Sequence, residues 1–419
     1  MPKRLVSWVG SANDPETPFP LNNLPCGVFS RGTEAPRCCV AIGDMVLDLA
    51  MLEDLGMLDG LPTVFHQPSW NAFMAEGPDV WARFRRIVTG LLLDGAPVEA
   101  QVSPALVPMA GLRLHLPLVV AEYTDFFASE DHARNAGKAL RGADDLAPNW
   151  VHVPVGYNGR ASTVVVSGTD IRRPWGQILP AGAEAPVFAA SGRMDFELEL
   201  GAVVGVANRH GTPVDLAQAD QMIFGYVLLN DWSARDIQAW EARPLGPFQA
   251  KGFATTIGPW IVMREALAEA RCAAPDRHAP LLPYLADRAP THFDIELLAD
   301  LITPDGGVTQ ITRTNYRRMY FSLAQQLCHH AINGCAMRVG DLLGSGTVSG
   351  PEPENRGCLL ELTWNGATPL PLVDGTLRTF LEDGDTINLS GHAQFDDYRI
   401  GFGTCSGTIT PALTLSQRD

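Results

Sequence analysis

The clearest alternation of polar and apolar positions lies in residues 193–200, where Glu197 and Glu199 are separated by a single apolar residue. Because successive side chains of a β-strand point to opposite faces, this spacing predicts a strand with both carboxylates on one face. The apolar residues that then share the other face are Phe196, Leu198 and Leu200. A second acidic strand is predicted over residues 228–238, which contain Asp231. These two segments hold most of the candidate chemistry.

Two parallel glutamates on neighbouring positions of one strand face repel each other. The pair is stable if water screens the charges, if one carboxyl stays protonated, or if a cation lies between the two. The alternation does not decide among these, since alternating acidic strands are also common on solvated faces. If a cation is bound, a set of ligands made only of oxygens selects calcium or magnesium over zinc.

The rest of the pattern predicts short segments. Two apolar runs around a Gly-Asp pair predict a β-hairpin over residues 38–49, and an apolar stripe at helical spacing predicts a helix over 79–93. A further helix is predicted over 314–333, and a strand over 358–364 with Glu361 as its single acid. The 32 prolines and 40 glycines are spread along the chain. They indicate a protein rich in β-strands and turns.

Composition and charge narrow the class of partner. The 419 residues are 46% hydrophobic and carry a formal net charge of −16, which argues against nucleic acid and anionic membrane surfaces as partners. An anionic substrate is compatible with this charge if a local basic pocket binds it. The eight cysteines form no CxxC pair, so we expect reduced thiols in a cytoplasmic protein. Neither a signal segment nor an apolar run long enough to span a membrane is recognised.

Common catalytic patterns are missing: HExxH, GxSxG, the phosphate-loop lysine and the dinucleotide fingerprint. What remains is carboxylate chemistry with basic and amide side chains close by in sequence, namely Asp125, Glu197, Glu199, Asp231, Arg235, Gln238 and Lys251. Two residues have a plainer interpretation. Lys251 lies in a Pro/Gly-rich loop, where lysines are usually solvated, and a single acid within an apolar strand, such as Glu361, usually faces water.

Several longer motifs resemble the fumarylacetoacetase family. They are NW and VPVGY with GRAS within residues 149–162, NDWSARDIQ at 230–238, PLGPF at 244–248 and SGT through GPEPEN at 345–355. Shorter matches at 24–30 and 398–403 extend the resemblance over nearly the whole chain. The resemblance implies a predominantly β fold with a few helices. It also implies an N-terminal SH3-like β-barrel domain over 1–117 and a catalytic β-sandwich or roll domain over 118–419.

The resemblance also implies an activity, which is the metal-dependent hydrolysis of a carbon–carbon bond in fumarylacetoacetate. The products are fumarate and acetoacetate, at the end of tyrosine and phenylalanine breakdown. The implied partners are a small β-diketo acid substrate and a second copy of the chain in a homodimer. The alternative is a hydrolase of the same fold that acts on another β-diketone, such as an acylpyruvate.

Matching positions assign roles residue by residue. A calcium or magnesium ion is expected on Asp125, Glu197, Glu199 and Asp231, and a second, structural magnesium is expected near Lys251 and Thr255. His132 matches the general base and Glu361 the acid that orients it. Arg235, Gln238 and Lys251 match the groups that stabilise the oxyanion and the leaving carbanion. The expected substrate contacts are Phe127, Arg141, Gln238, Ala242 and Thr347.

Two of these substrate positions depart from the family pattern. Phe127 and Ala242 stand where better-known members carry tyrosine, so each position lacks a phenolic hydroxyl. The catalytic positions are all retained. We therefore expect the reaction class to be kept, while the departures motivate the acylpyruvate alternative.

Overall fold

The computed structural model describes residues 3–414, apart from the side chain of Arg141. Within this range more residues lie in strands than in helices. This confirms the prediction of a predominantly β protein with a few helices. Three larger sheets form successive layers, and the strands of the middle layer contain the predicted acidic residues Asp125, Glu199 and Asp231.

The N-terminal layer is a five-stranded antiparallel sheet that curves into half of a barrel. In spatial order its strands are Leu106–Pro108, Met45–Asp48, Arg37–Ile42, Cys26–Ser30 and Arg113–His115. The predicted hairpin over 38–49 is confirmed by the pairing of the second and third of these strands. The helices of this region are Leu49–Asp54, Asn71–Met74, Pro78–Leu92 and Glu99–Val102. The third confirms the predicted helix over 79–93, with Trp81, Phe84, Val88 and Leu92 buried.

The central sheet is the middle layer. Its strands in spatial order are Gly156–Asn158, Tyr123–Phe126, Leu342–Gly344, Leu198–Val204, Ile223–Asp231, Thr255–Ile257 and Val164–Val166, and Val262–Met263 also pairs with the fifth. The fourth and fifth strands are buried at every position, as expected for a sheet covered on both faces. On one face Phe224 packs against Trp70 and Trp81 of the N-terminal region.

The other face of the central sheet packs on the C-terminal sheet, and both contribute to one continuous core. In spatial order this third sheet consists of Val308–Asn315, Glu296–Ile302, Thr386–Gln394, Arg399–Thr410 and Ile171–Arg172. Shorter pairs are Trp175–Ile178 with Val187–Ala190, Met194–Asp195 with Ser233–Ala234, Arg271–Cys272 with His292–Phe293, and Leu370–Pro371 with Leu377–Arg378.

Helices in this larger region connect the sheets, and four of them contribute residues to one cavity. They are Glu130–Arg141, Leu216–Met222, Arg235–Glu241, Gln249–Gly252, Leu323–Ala331 and Leu359–Leu362. Short 3₁₀ helices occur at Gly10–Asn13, Ser103–Ala105, Ala161–Thr163, Arg264–Ala270, Tyr316–Arg318 and Pro353–Asn355. None of the helices between residues 3 and 414 is both long enough and apolar enough to cross a membrane.

Four of the predicted elements were wrong in type or in extent. The first acidic strand, predicted within residues 193–200, is interrupted at Phe196 and Glu197, between the strands Met194–Asp195 and Leu198–Val204. The predicted helix over 314–333 begins only at Leu323, because the preceding residues complete a strand and Ser322 forms a capping box with Gln325. The predicted strand over 358–364 contains one helical turn instead. The second acidic strand ends at Asp231, and a helix begins at Arg235.

The division into domains at residues 117 and 118 stays a prediction. The N-terminal half-barrel shares its core with the central sheet, since Phe224, Leu229 and Leu342 belong to the same buried cluster as Trp70. The two regions are therefore joined by continuous apolar packing in this structure.

Candidate active site

Four neighbouring strands of the central sheet bring the predicted carboxylates together. Asp125 pairs with Gly344 in a parallel ladder, and Gly344 pairs with Gly201 on the strand that carries Glu199. That strand pairs in turn with the one ending at Asp231. Residues separated by more than 100 positions in sequence therefore meet at one end of the sheet.

The four acidic side chains form a compact buried cluster. One carboxylate oxygen each from Asp125, Glu197, Glu199 and Asp231 lies within 4.8 Å of the others. Gly344 makes room for them, because a Cβ atom at this position would lie 2.4 Å from Asp125 Oδ1 and 2.9 Å from Glu199 Oε2. A larger residue at position 344 would occupy the space that the carboxylates fill.

Burial and mutual repulsion change the acidity of the cluster. Burial, reinforced by the neighbouring carboxylates, raises the pKa of Asp125 and of Glu199 well above the usual range. Burial alone would raise the pKa of Glu197 as well, but Lys251 and Arg235 lower it to about 2. Lys251 Nζ lies 2.5 Å from Glu197 Oε2 and 2.8 Å from Asp231 Oδ2. These two carboxylates raise the pKa of Lys251 although burial opposes the shift.

The cluster fits a hard divalent cation. Bulk water screens it little, since all four side chains are buried and those of Glu199 and Asp231 are 0% exposed. If all four carboxyls are ionised, Lys251 and Arg235 balance only part of the negative charge, because Arg235 is shared with Asp195. A divalent cation would balance the rest. Glu199 Oε1 finds no hydrogen-bond partner among the described residues and is free to act as a ligand. A set of metal ligands made only of carboxylate oxygens suits calcium or magnesium.

A histidine and a glutamate form a second buried pair beside the cluster. His132 lies in the helix Glu130–Arg141, where Ser129 caps the N-terminus, and its Nδ1 hydrogen-bonds Glu361 Oε1. Ser349 Oγ donates to the same glutamate oxygen at 2.8 Å. With Nδ1 held, Nε2 of His132 is the ring nitrogen left for a reactant. Glu361 is fully buried, so the expectation that a single acid in this segment faces water was wrong.

Basic and amide groups connect the pair to the carboxylates. Arg235 Nη1 lies 2.8 Å from Glu197 Oε1 and donates to Gln238 Oε1 at 3.0 Å. Arg235 Nη2 is buried and has no hydrogen-bond partner among residues 3–414. Lys251 is also buried, contrary to the plainer interpretation of its loop, because the turn Gln249–Gly252 directs it toward Glu197 and Asp231.

These groups line one cavity of about 500 Å³. Predicted site residues in its wall are Asp125, Phe127, His132, Glu197, Arg235, Gln238, Ala242, Lys251 and Thr347. Thr347 Oγ1 is buried and finds no partner among the described side chains and backbone, so it is free to bind a ligand. The Phe127 ring contacts the His132 ring edge to face at 5.1 Å between centroids.

Four other predicted site residues do not line the cavity themselves but contact residues that do or lie in the carboxylate cluster, namely Glu199, Asp231, Thr255 and Glu361. Thr255 is adjacent to the cluster and donates to Asp231 Oδ1 at 3.3 Å. The side chain of Arg141 lies outside the described residues, and its substrate contact stays a prediction.

Sequence reasoning missed three residues of the site. Tyr157 donates to Asp231 Oδ2 at 2.7 Å, Ser349 holds Glu361, and Asp195 accepts from Arg235 Nε at 2.8 Å. Tyr157 and Ser349 lie in or next to motifs already recognised, and Asp195 lies in the first acidic segment. No spacing rule singles them out, because their partners are distant in sequence.

A histidine oriented by a glutamate faces the same cavity as two of the clustered carboxylates, an arrangement suited to activating a water molecule. The chain is therefore, by class, a hydrolase. Matches to two family models identify its family. "Fumarylacetoacetate (FAA) hydrolase C-terminal" matches residues 122–410, and "Fumarylacetoacetase N-terminal" matches residues 22–117. The chain belongs to the fumarylacetoacetate hydrolase family.

Individual relatives agree with this assignment. Fumarylacetoacetase from Arabidopsis thaliana is 47% identical, covering 97% of this chain and 99% of the relative. Fumarylacetoacetase from Homo sapiens is 46% identical, covering 98% and 100%. Among solved structures, a fumarylacetoacetate hydrolase from Exiguobacterium antarcticum is similar with a TM-score of 0.51. That similarity covers 93% of this chain and 99% of the other at 16% identity, and it supports the fold.

Replacing Gly344 by alanine tests the cation cage. The added Cβ would collide with Asp125 and Glu199, so we expect the affinity for magnesium or calcium to fall by at least about tenfold, as for other changes that displace metal ligands. Isothermal titration calorimetry measures this without an activity assay. Gly258→Ala is the matched control, because its Cβ meets nothing closer than 3.7 Å. Unchanged affinity in Gly344→Ala would contradict the assignment.

Proposed function

We propose that this chain hydrolyses the carbon–carbon bond of fumarylacetoacetate and releases fumarate and acetoacetate. The observation that carries the proposal is the identity of 46–47% to fumarylacetoacetases over nearly the full length of both partners. The cavity supports it, because it combines a cation cage, a candidate base and several hydrogen-bond donors in one space. As the last step of tyrosine and phenylalanine breakdown, the reaction consumes a small anionic diketone.

The proposed cation is calcium or magnesium on Asp125, Glu197, Glu199 and Asp231. When bound, it would supply a Lewis acid for the diketone oxygens of the substrate. The protein's contribution is to fix the cage: Lys251 and Tyr157 hold Asp231, and Gly346 N donates to Glu199 Oε2 at 2.9 Å. The second, structural magnesium near Lys251 and Thr255 stays a prediction.

His132 is the proposed general base. Glu361 holds Nδ1, so Nε2 takes a proton from a water in the cavity, and the hydroxide equivalent forms a bond to the carbonyl carbon beside the bond to be cleaved. Glu361 then stabilises the imidazolium that results, as a buried carboxylate does for a protonated partner. Ser349 keeps Glu361 in this orientation through its 2.8 Å hydrogen bond.

Arg235, Gln238 and Lys251 are the proposed stabilisers of developing negative charge. Arg235 Nη2, which has no partner among the described residues, is available to an oxyanion. As the tetrahedral carbon re-forms a carbonyl, the carbon–carbon bond breaks and its electron pair leaves on the acetoacetate carbon. That carbanion receives the proton held by His132, so base and cavity return to their starting state.

Thr347, Phe127 and Ala242 are proposed to contact the substrate, together with Arg141. Thr347 offers an unpaired hydroxyl. Phe127 and Ala242 offer apolar surface, so they shape the cavity without donating hydrogen bonds.

We also propose a homodimer in the cytoplasm. The eight free thiols are compatible with a reducing compartment. Apolar side chains near the cavity mouth and on the hairpin at 175–190, including Leu245 and Phe188, are strongly exposed, and a second chain would cover such surface.

The first test is substrate choice. We expect the purified chain to hydrolyse fumarylacetoacetate with a higher kcat/KM than simple acylpyruvates, because the relatives over its full length are fumarylacetoacetases. Parallel assays that follow loss of the diketone absorbance measure both. A clear preference for acylpyruvates would favour the alternative hydrolase and would trace to Phe127 and Ala242.

The second test concerns the base. His132→Ala is expected to lower kcat by about 10²–10⁴-fold, the usual contribution of general acid–base catalysis. Glu361→Gln keeps the size of the side chain but removes its charge. It is also expected to lower kcat, but by less than His132→Ala does. His329→Ala is the control, since His329 hydrogen-bonds Tyr284 outside the cavity. If His132→Ala turned over like the unmodified chain, another residue would have to be the base.

A further inference from the structure

Asp195 is a fully buried carboxylate to which neither the motifs nor the proposed mechanism assigns a role. Each of its two carboxylate oxygens accepts two hydrogen bonds. Oδ1 accepts from the backbone N–H groups of Phe196 at 2.9 Å and Leu359 at 2.7 Å. Oδ2 accepts from Leu360 N at 2.9 Å and from Arg235 Nε at 2.8 Å. A charge buried this deeply is stable only with such compensation, so its geometry is tightly defined.

One set of these bonds fixes Arg235. With Nε held by Asp195 and Nη1 shared between Glu197 and Gln238, the plane of the guanidinium is set. Nη2 is then the group left for the substrate. Because guanidinium hydrogen bonds are directional, loss of the Nε partner would let this plane rotate.

The other set fixes the turn that carries Glu361. Leu359–Leu362 is only four residues long, and such a short helix does not form on its own. Asp195 accepts its first two backbone N–H groups, which have no partner inside the helix. Glu361 lies in this turn and holds His132.

We propose that Asp195 is a positioning residue that fixes the oxyanion donor Arg235 and the base pair His132–Glu361 relative to each other. Through one carboxylate, the two halves of the reaction centre share a single anchor. The inference rests on the proposed function for its catalytic consequence, but the anchoring of the two elements does not depend on which substrate is used.

The test is Asp195→Asn, which keeps the size of the side chain but places an amide N–H against donors. We expect kcat on fumarylacetoacetate to fall by about 100-fold, a loss comparable to removal of an oxyanion donor. KM should change by less than about threefold, because the affected groups act mainly on the transition state. In an Arg235→Met background, Asp195→Asn should lower kcat by less than about tenfold, since the hydrogen bond between Asp195 and Arg235 is already absent.

Hydrogen exchange supplies a readout that needs no substrate. The amides of Leu359 and Leu360 should exchange at least about tenfold faster in Asp195→Asn, because they lose a charged acceptor. Asp385→Asn is the matched control. Asp385 is equally buried, accepts from Arg378 Nε at 2.9 Å, and does not line the cavity. This control should lower stability while leaving kcat and the two amides unchanged.

A normal kcat in folded Asp195→Asn would overturn the proposal, as would unchanged exchange at Leu359 and Leu360. The proposal would also be overturned if the kcat of the double variant fell by the product of the losses in Asp195→Asn and Arg235→Met. If Asp195→Asn does not fold, Asp195→Glu keeps the charge and displaces the carboxylate by one methylene, and the same fall in kcat is expected. An unmodified chain without activity on fumarylacetoacetate would contradict the proposed function, and the exchange measurement would still decide the role of Asp195.

Discussion

Repulsion among four buried carboxylates is the constraint on which the rest of this structure depends. Asp125, Glu197, Glu199 and Asp231 place oxygens within 4.8 Å of one another, and all four side chains are buried. Such a cluster persists only if protons or cations compensate it. Lys251 and Arg235 compensate part of the charge, and the remainder suits a divalent cation. Gly344 meets a separate, steric requirement, because a Cβ at this position would collide with Asp125 and Glu199.

The layered fold is what makes that cluster possible. A sheet covered on both faces holds neighbouring strands in fixed register, so residues from distant parts of the chain meet with little freedom. The unfavourable free energy of this repulsion is offset by burial of apolar side chains in the large cores on either side of the sheet. Arg235 and Asp195 then extend the network from the cage to Glu361 and His132. Charge balance and catalytic geometry are therefore properties of the same hydrogen-bonded network.

The sequence predicted the parts of this arrangement that depend on local spacing or on recognisable motifs. The alternation of Glu197 and Glu199, the hairpin over 38–49 and the helix over 79–93 have local causes. The turn at 359–362 was predicted as a strand, because a short apolar run fits either element and the deciding contact comes from Asp195, more than 160 positions away. Burial of Lys251 was missed for the same reason, since its counter-charges, Glu197 and Asp231, come from other segments of the chain.

The most direct test of the account is a titration of the metal-free chain with magnesium or calcium that follows binding and hydrolysis of fumarylacetoacetate in the same samples. We expect little activity without the ion, and activity that returns in proportion to occupancy of a single high-affinity site. The unmodified, untreated chain is the reference for full activity. Full turnover by a sample verified to be free of divalent metal would contradict the claim that the carboxylate cluster works as a cation cage.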